Sequence, residues 1–295
     1  MPQWLELGLQ SFDGDELMRF ELNDSDCKFL RSLLANAQTS YPEGWQEWYL
    51  AGHEHRIGVL SPMRAQLFSE MLPINMPLVH DGDRLIWHAS DASPLVRSQV
   101  LQSISYDLYM SGEIRGWRNE MYSCWGSYNG PWPFPYKELF RLERAAFRYF
   151  GMRSHASHIN GITSAGEMWC GRRALHKSTD PGLLDNLAAG GISFSEDPDT
   201  CAVREIYEES GLKRVIQDLI ANTSQVMTER VESEGWHSER IFVYTTDVKD
   251  DEQPHNIDGE VSEFICLNIE DVLQRIRTHQ FTMDASCAIA TFLLA

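Results

Sequence analysis

The segment from Gly190 to Leu212 restricts the fold of this chain more than any other part of the sequence, because it predicts a helix with defined ends. Asp197 suits the N-terminal cap of that helix, and Pro198 suits its first position because the proline ring already holds the helical backbone angle. Gly211 suits the C-terminal cap, where the backbone is often left-handed. The chain must therefore place one short helix between two loops at this point.

Three glutamates lie on this predicted helix. Spacings of three and four residues bring side chains to one face of a helix, so Glu205, Glu208 and Glu209 would crowd their charges together. Each like-charged pair costs about 0.2–0.5 kcal/mol, and Arg204 can offset this only partly by reaching Glu208. Carboxylate oxygens are the ligands that Mg²⁺ prefers. The group therefore predicts a site for a divalent cation, with a solvated helix face as the alternative.

The whole sequence carries a formal net charge of −18, from 25 Lys and Arg against 43 Asp and Glu. This balance argues against non-specific binding to nucleic acid or to anionic membranes, since both need a basic surface. If the substrate is a phosphate anion, it needs positive charge from nearby side chains or from a metal ion. Mg²⁺, or Mn²⁺ in its place, would neutralise a diphosphate and lower the pKa of a bound water.

The wider spacing around this helix matches a known signature, G-x5-E-x7-R-E-U-x-E-E-x-G-U, in which U is a bulky aliphatic residue. Every specified position is met, by Gly190, Glu196, Arg204, Glu205, Ile206, Glu208, Glu209, Gly211 and Leu212. A chance match of the seven fixed residues is on the order of one in a million. The chain therefore resembles the Nudix hydrolases, which hydrolyse diphosphates linked to another moiety.

The resemblance implies a role for residues of the signature. Glu205, Glu208 and Glu209 would bind metal or assist the base, and Arg204 would hold them in position by ion pairing. The carbonyl of Gly190 would also contact a metal ion. The implied fold is an α/β/α sandwich, the implied cofactor is Mg²⁺ or Mn²⁺, and the implied substrate is a small-molecule diphosphate.

Further stretches resemble one subgroup of that family: HINGIT, RRALHKSTDPGLLDNLAAGG, DGEVSEF, GEIRGWRNE and LERAAFRYFG. In this subgroup, which is associated with thiamine diphosphate metabolism, a Nudix domain follows an N-terminal domain. Some members convert oxidised thiamine diphosphates to monophosphates, so thiamine diphosphate or such an analogue is the implied substrate. The chain departs from the subgroup after Phe281, where relatives carry a lysine-proline-asparagine step.

Other functions stay open at this point. A nucleoside diphosphate derivative, such as a sugar nucleotide, is the second candidate substrate. Isomerisation of isopentenyl diphosphate uses the same fold but needs a reactive cysteine ahead of the helix. Cys170 would take that role only if its side chain faces the active-site cavity. A non-catalytic ligand sensor would predict eroded carboxylates or an attached DNA-binding module, and neither is evident in the sequence.

The order of elements predicts a mixed α/β (α+β) fold without the strict β-α-β alternation of a doubly wound sheet. Apolar residues at three- and four-residue steps predict a helix over 137–150, with Gly151 as its cap. We place a domain boundary there, with a smaller α+β domain over 1–150 and a Nudix α/β/α sandwich over 151–295. Substrate recognition is the role suggested for the N-terminal domain.

Local composition predicts the elements of the second domain. Residues 158–163 and 167–175 predict a hairpin with its turn near 165–166, followed by a loop over 177–186 that contains a Pro-Gly pair. The remaining predicted elements are strands over 223–231, 240–248 and 262–268, a helix over 269–278 and a final helix that ends near Ala295.

Five residues outside the signature are candidates for substrate contact or catalysis. Arg172, Arg173 and Lys177 form a basic cluster that could bind phosphate oxygens, with ordinary surface charge as the alternative. Glu260 could serve as a further metal ligand or as the general base, with a solvated loop acid as the alternative. Trp117 of the N-terminal domain could face a cationic thiazolium ring, although buried packing is the more common fate of tryptophan.

The sequence also bears on the compartment of the protein. The six cysteines form no CxxC pair, which favours reduced and buried thiols. No stretch approaches the roughly 18 apolar residues that span a bilayer, and residues 1–16 lack the basic start and apolar run of a secretion signal. We therefore expect a cytoplasmic protein that binds neither nucleic acid nor membrane, and a homodimer is the assembly left open.

Overall fold

The computed structural model describes residues 20–126, 138–177 and 179–295, without the side chains of residues 222–224. The stretch 1–16, on which the prediction about secretion rests, lies outside the described residues. The first range contains α1 (Asp24–Ala35), β1 (Gln46–Leu50), β2 (Gly58–Leu60), α2 (Pro62–Met71), β3 (Leu78–Asp81), β4 (Arg84–Trp87), α3 (Pro94–Met110) and β5 (Met121–Trp125). The others contain β6 (Glu138–Glu143), α4 (Arg144–Tyr149), β7 (Arg153–Thr163), β8 (Met168–Arg173), β9 (Leu184–Asp185), β10 (Ala188–Gly191), α5 (Pro198–Ser210), β11 (Ile220–Glu232), β12 (Gly235–Val248), β13 (Val261–Leu267), α6 (Ile269–Arg277) and α7 (Met283–Leu293).

Four strands of the N-terminal region form a mixed sheet in the order β2-β1-β4-β3, in which β1 and β4 are parallel and the other pairs are antiparallel. Helices α2 and α3 and the hairpin β5-β6 enclose one apolar core with this sheet. The centre of the core is aromatic: the ring centroid of Trp48 lies 5.4 Å from that of Phe68 and 6.5 Å from that of Phe140. An α+β unit therefore precedes the C-terminal region, as predicted.

The helix predicted over 137–150, whose first residue lies outside the described ranges, is wrong in its first half. Residues Glu138–Glu143 form β6, which pairs antiparallel with β5, and only Arg144–Tyr149 form a helix. The adjacent residues Leu139 and Phe140 are both buried, so the strand is covered on both faces. A strand of this kind has the same unbroken apolar run as a buried helix, which is why the periodicity misled.

Gly151 follows α4 with the left-handed backbone predicted for it, at φ +62°. A Cβ on this residue would lie 2.0 Å from the carbonyl oxygen of Val59 on β2. We expect Gly151→Ala to lower the free energy of unfolding by about 3 kcal/mol or more, because backbone strain adds to a clash with another backbone. Urea titration followed by tryptophan fluorescence measures this change.

Gly52→Ala is the matched control. Gly52 also has a positive φ, of +76°, but nothing lies within 4 Å of a Cβ added there. This variant is expected to lose only about 1 kcal/mol, from the strain of the left-handed backbone. Equal losses in the two variants would mean that the contact with Val59 adjusts without cost, contrary to this prediction.

The larger sheet, in the C-terminal region, has the strand order β11-β12-β7-β8-β13, with β10 beside β7 and β9 beside β8. Strands β7 and β12 are parallel, and the other pairs are antiparallel. Along β12, Phe242 and Tyr244 share an apolar core with α5, whereas Ile241 and Val243 share one with α7. Alternate residues of a strand point to opposite faces, so helices cover both faces and the region is an α/β/α sandwich.

The strands predicted for the C-terminal region are present. Those over 158–163, 167–175, 223–231, 240–248 and 262–268 correspond to β7, β8, β11, β12 and β13, and the predicted helices correspond to α5, α6 and α7. The predicted hairpin turns at Gly166, whose φ is +78°. Strands β9 and β10 were not predicted, because a two-residue strand and an Ala-Ala-Gly-Gly run have little strand propensity and depend on their pairing partners.

Helix α1 precedes the N-terminal sheet in the chain but packs on the C-terminal sandwich. Leu30 lies in the apolar core formed with α6 and α7, and the ring centroid of Phe20 lies 5.6 Å from that of Phe292. The domain boundary at residue 150 stays a prediction, and a fragment that began there would lose this helix. No helix in the described ranges is long and apolar enough to span a bilayer.

Candidate active site

Helix α5 begins and ends where the sequence predicts. The side chain of Asp197 accepts a hydrogen bond from the backbone N–H of Thr200 at 2.7 Å, and Pro198 occupies the first turn. Gly211 follows the helix with a φ of +71°. The buried side of the helix packs against apolar residues of β7 and β10. The caps therefore fix which residues of the helix face the sheet and which face the site.

Arg204 holds three glutamates in place. Its Nε and Nη2 contact the two carboxylate oxygens of Glu196 at 2.5 and 2.8 Å. Its Nη1 reaches Glu205 at 2.6 Å and Glu208 at 2.9 Å, and the second contact is the ion pair predicted one turn along the helix. Bidentate pairs between arginine and carboxylate fix orientation as well as charge. One guanidinium group therefore sets the geometry at this end of the site.

Two glycines of β10 allow other parts of the chain to approach closely. A Cβ on Gly190 would lie 1.9 Å from Oε1 of Glu205, and a Cβ on Gly191 would lie 1.6 Å from the hydroxyl oxygen of Tyr122. The N–H of the preceding Ala189 donates to Glu209 at 2.9 Å. Because glycine has no side chain, the carboxylates of α5 lie directly against the backbone of β10.

Three carboxylates from distant parts of the chain come together beside α5. One oxygen each from Glu209 and from Asp258 and Glu260, in the loop before β13, lie within 4.8 Å of one another. The carboxylate of Asp258 also accepts the N–H of Glu260 at 2.8 Å, which fixes the loop. Oxygen donors gathered in this way suit Mg²⁺ or Mn²⁺. Sequence analysis singled out Glu209 and Glu260 but missed Asp258, although it stands in the same short D-G-E stretch.

Of the four predicted metal ligands, only Glu209 belongs to this group. The oxygens of Glu205 and Glu208 are not part of it, and Arg204 contacts both carboxylates. The carbonyl of Gly190 instead accepts a weak hydrogen bond from the thiol of Cys201 at 3.5 Å. Metal ligation by Glu205, Glu208 and Gly190 stays a prediction.

Burial governs the protonation of these acids. It raises the pKa of Glu209 well above its ordinary value, and the nearby charge of Glu205 adds to the rise. Burial also raises the pKa of Glu205 to about 7, against the lowering effect of Arg204. In Glu260 the effect of burial is outweighed by the hydrogen bond and charge of Lys177, so the pKa is lowered. A divalent cation would relieve the repulsion among these carboxylates, so the residues present fit a metal ion.

A cavity of about 150 Å³ adjoins the acidic residues. Gly190, Glu205 and Glu260 form part of its wall. Elsewhere the wall mixes four cationic side chains with four acidic ones: Arg144, Arg148, Arg173 and Lys177, and Asp180, Asp185, Glu239 and Asp284. Basic side chains of the type that bind phosphate oxygens therefore lie next to the candidate metal site, interspersed with carboxylates.

Comparison with known proteins identifies the part of the chain that contains this site. Residues 153–286 match the model of the NUDIX domain. These residues are a Nudix domain. The match includes α5, its signature residues and the loop that carries Asp258 and Glu260, so the acidic group lies wholly inside the domain. The prediction of a Nudix domain is confirmed over these residues.

Two curated relatives come from Arabidopsis thaliana. The proteins named Nudix hydrolase 20, chloroplastic, and Nudix hydrolase 24, chloroplastic, are each 33% identical to this chain, over 204 and 199 residues. The matches cover 68% and 66% of this chain and 53% of each relative, so the chain spans about half the length of these proteins. Both matches are longer than the stretch 153–295, which consists of the Nudix domain and the residues that follow it. They therefore include part of the N-terminal region.

Among solved structures, the MutT protein from Methanosarcina mazei Go1 is similar to this chain, with 17% identity and a TM-score of 0.39, over 48% of this chain and 92% of that one.

The names of the two plant relatives place them in chloroplasts. The cytoplasmic location expected from the sequence is therefore not confirmed, and it stays a prediction together with the homodimer.

The structure brings two of the four predicted substrate-binding residues to the cavity of the Nudix domain. Lys177 and Arg173 line it, although Arg173 also forms an ion pair with Asp185 at 2.9 Å. Arg172 is not among the lining residues and forms an ion pair with Glu263. The two neighbouring arginines point to opposite faces of β8, as successive strand residues do.

Trp117 also lies away from the cavity wall. Its ring packs beside those of Tyr106 and Tyr109, with centroids 5.7 and 5.1 Å away, and its Nε1 donates to Asn119 at 3.0 Å. These contacts correspond to the packing alternative that the sequence left open. Substrate contact by Arg172 or Trp117 stays a prediction.

The N-terminal region supplies residues to this site that sequence reasoning missed. Arg118 donates to Glu260 at 3.1 Å, while Tyr122 and Arg144 line the cavity. All three stand in or near stretches that resemble the thiamine diphosphate subgroup, but nothing local shows that they approach the Nudix domain. Their position depends on long-range contacts such as that of Tyr122 on β5 with Gly191 on β10.

Proposed function

We propose that this protein catalyses the metal-dependent hydrolysis of a diphosphate linkage in a small metabolite. The observation that carries the proposal is the convergence of Glu209, Asp258 and Glu260 within 4.8 Å of one another, next to a cavity whose wall includes Arg173 and Lys177. Carboxylates that bind Mg²⁺ and cations that bind phosphate oxygens are the two requirements for attack of water on a diphosphate.

In the proposed reaction, water attacks a phosphorus atom and a monophosphate leaves. When bound, Mg²⁺ would supply charge neutralisation and would lower the pKa of a water molecule. Glu209, Asp258 and Glu260 would hold it. Lys177 and Arg173, which line the cavity, would orient the diphosphate through charge-assisted hydrogen bonds. Arg204 would act on the geometry of the acids and not on the substrate.

Thiamine diphosphate or one of its oxidised analogues is the leading candidate substrate, on the strength of the sequence resemblance to that subgroup. A nucleoside diphosphate derivative is the second. The isomerase alternative is weakened, because Cys170 is fully buried in the apolar core beside α6 and α7 and does not line the cavity.

One assay tests the proposal directly. The protein is incubated with Mg²⁺, and separately with Mn²⁺, and a panel of thiamine diphosphates, nucleoside diphosphates and sugar nucleotides, and the products are identified by chromatography. We expect a monophosphate from at least one of them and none after the metal is chelated. Absence of hydrolysis across the panel with both metals would contradict the proposed activity.

Replacing Glu260 tests whether the D-G-E loop contributes to the metal site. We expect Glu260→Gln to raise the Mg²⁺ concentration for half-maximal activity about tenfold, because loss of an oxygen ligand weakens binding of a hard cation. Glu263→Gln is the control, since its partner Arg172 lies outside the cavity wall. The prediction fails if both variants have the Mg²⁺ requirement of the unmodified protein.

A further inference from the structure

His158 on β7 lines the active-site cavity and takes no part in the acidic group that would hold a metal ion. It belongs to the HINGIT stretch, and no role was predicted for it from the sequence. Along β7, Ile159 packs with α5, whereas Ile162 lies in the core formed with α6 and α7. Since alternate residues of a strand point to opposite faces, His158 points away from α5, on the face of Ile162.

Two fully buried asparagines hold the imidazole ring of His158. Its Nδ1 lies 2.8 Å from Oδ1 of Asn186, and the amide nitrogen of Asn186 donates to Oδ1 of Asn160 at 2.6 Å. Because Asn186 uses its nitrogen for Asn160, its oxygen must accept from His158. A neutral ring in this position therefore carries its proton on Nδ1, and the hydrogen bonds fix both its orientation and its tautomer.

Asp185 connects these side chains to Arg173. Its Oδ1 accepts the backbone N–H of Asn186 at 3.0 Å and lies 3.9 Å from Nδ1 of His158. Its Oδ2 accepts a hydrogen bond from Arg173 at 2.9 Å. Arg173 and His158 both line the cavity, so one buried set of contacts positions a cationic donor and an imidazole ring in the same wall.

The second ring nitrogen of His158, Nε2, has no hydrogen-bond partner in the part of the chain that the structure describes. The side chain is only 6% exposed. Nε2 nevertheless differs from the amide nitrogen of Asn160, which is sealed from solvent and has no partner within the described ranges. The opening left to Nε2 is the cavity that His158 lines.

Packing alone does not explain this network. A buried donor without a partner, such as the amide nitrogen of Asn160, costs about 1–3 kcal/mol. Apolar side chains of similar size would fill the same space without that cost. What the polar residues provide is a ring nitrogen held in one orientation towards the cavity.

We infer that His158 is a substrate-binding residue whose Nε2 accepts a hydrogen bond from an N–H or O–H group on the organic part of the substrate. This inference rests on the proposed function and adds a contact to it. Phosphate oxygens do not suit the position, because they are acceptors with negative charge and Nε2 offers a lone pair. The phosphates therefore lie towards Arg173 and Lys177, and the organic group lies against His158.

Nitrogen NMR tests this contact independently of catalysis. The full chain is labelled with ¹⁵N-histidine and studied with chelator in weakly alkaline buffer, where an imidazole is neutral. We expect the ring of His158 to carry its proton on Nδ1. Thiamine monophosphate or AMP should shift the Nε2 signal, whereas inorganic phosphate at the same concentration should not. A proton on Nε2, a shift with inorganic phosphate, or no shift with either monophosphate would overturn the inference.

Kinetics then test the contact with the substrate. His158→Asn keeps an N–H for Asn186 and removes the nitrogen that faces the cavity. On the substrate found in the panel assay, we expect this variant to raise KM about tenfold and to change kcat by less than about twofold, as the loss of one hydrogen bond predicts. His158→Gln, whose longer amide reaches towards the position of Nε2, should recover part of the loss.

His279→Asn is the matched control. His279 is exposed and does not line the cavity, and its φ of +56° is one that asparagine also adopts. Its KM should equal that of the unmodified protein. An unchanged KM in His158→Asn would overturn the inference while the proposed hydrolysis stands. A shift of the Nε2 signal with a monophosphate, without hydrolysis of any substrate in the panel, would support the contact and contradict the proposed function.

Discussion

Replacing Glu209 by glutamine is expected to lower turnover at least about a hundredfold, on the scale of losing one transition-state contact, while the fold stays intact. Glu209 belongs to both the helix signature and the acidic group beside the cavity. Glutamine has nearly the same shape and can still accept the N–H of Ala189, which now donates to Glu209 at 2.9 Å. Burial raises the pKa of Glu209 and so makes its charged form costly, and a neutral glutamine should therefore not lower stability without metal.

Two measurements distinguish this loss from unfolding. Steady-state turnover is measured on the substrate found in the panel assay, and thermal unfolding is followed with and without Mg²⁺. The unmodified protein should gain melting temperature with Mg²⁺, because a ligand of the native state stabilises it, and Glu209→Gln should lose most of that gain. Glu270→Gln, an exposed glutamate in the first turn of α6, is the control. Turnover near that of the control would refute the role assigned to Glu209.

Replacing Arg204 by lysine is expected to reduce both stability and activity. The guanidinium group contacts Glu196 through two nitrogens and reaches Glu205 and Glu208 through a third. A lysine ammonium keeps the charge but is a single point, so it cannot make these contacts together. Loss of two charge-assisted hydrogen bonds among partly buried acids predicts a decrease of about 1–3 kcal/mol in the free energy of unfolding. Displacement of the carboxylates predicts at least about tenfold lower turnover.

Arg214→Lys is the matched control for this variant. Arg214 also makes a bidentate contact with a carboxylate, that of Glu252 at 2.9 and 2.6 Å, but it does not line the cavity of the candidate active site. Urea unfolding should show losses of similar size in the two lysine variants, whereas the activity assay should show a loss only for Arg204→Lys. Similar activity in both variants would mean that the contacts of Arg204 are structural alone.

Local signals explain why the sequence predicted much of the Nudix domain. The ends of α5 depend on a cap, a proline and a glycine within one turn of the helix, so they can be predicted without knowledge of the rest of the fold. The contact from Arg204 to Glu208 depends on helical spacing alone. The segment that became β6 shows the limit of such signals. Its apolar run fits a helix and a buried strand equally well, and pairing with β5 decided between them.

The sequence by itself determined that a short helix bears a cluster of acids held by one arginine, and that the chain carries a Nudix domain. Only the tertiary structure decided which acids meet, since Asp258 and Glu260 reach Glu209 through the packing of β13 and its loop. It likewise brought Arg118 and Arg144 of the N-terminal region to the site. The physical reason is that caps and helical spacing act within a few residues, whereas these contacts follow from strand pairing and burial between segments far apart in the chain.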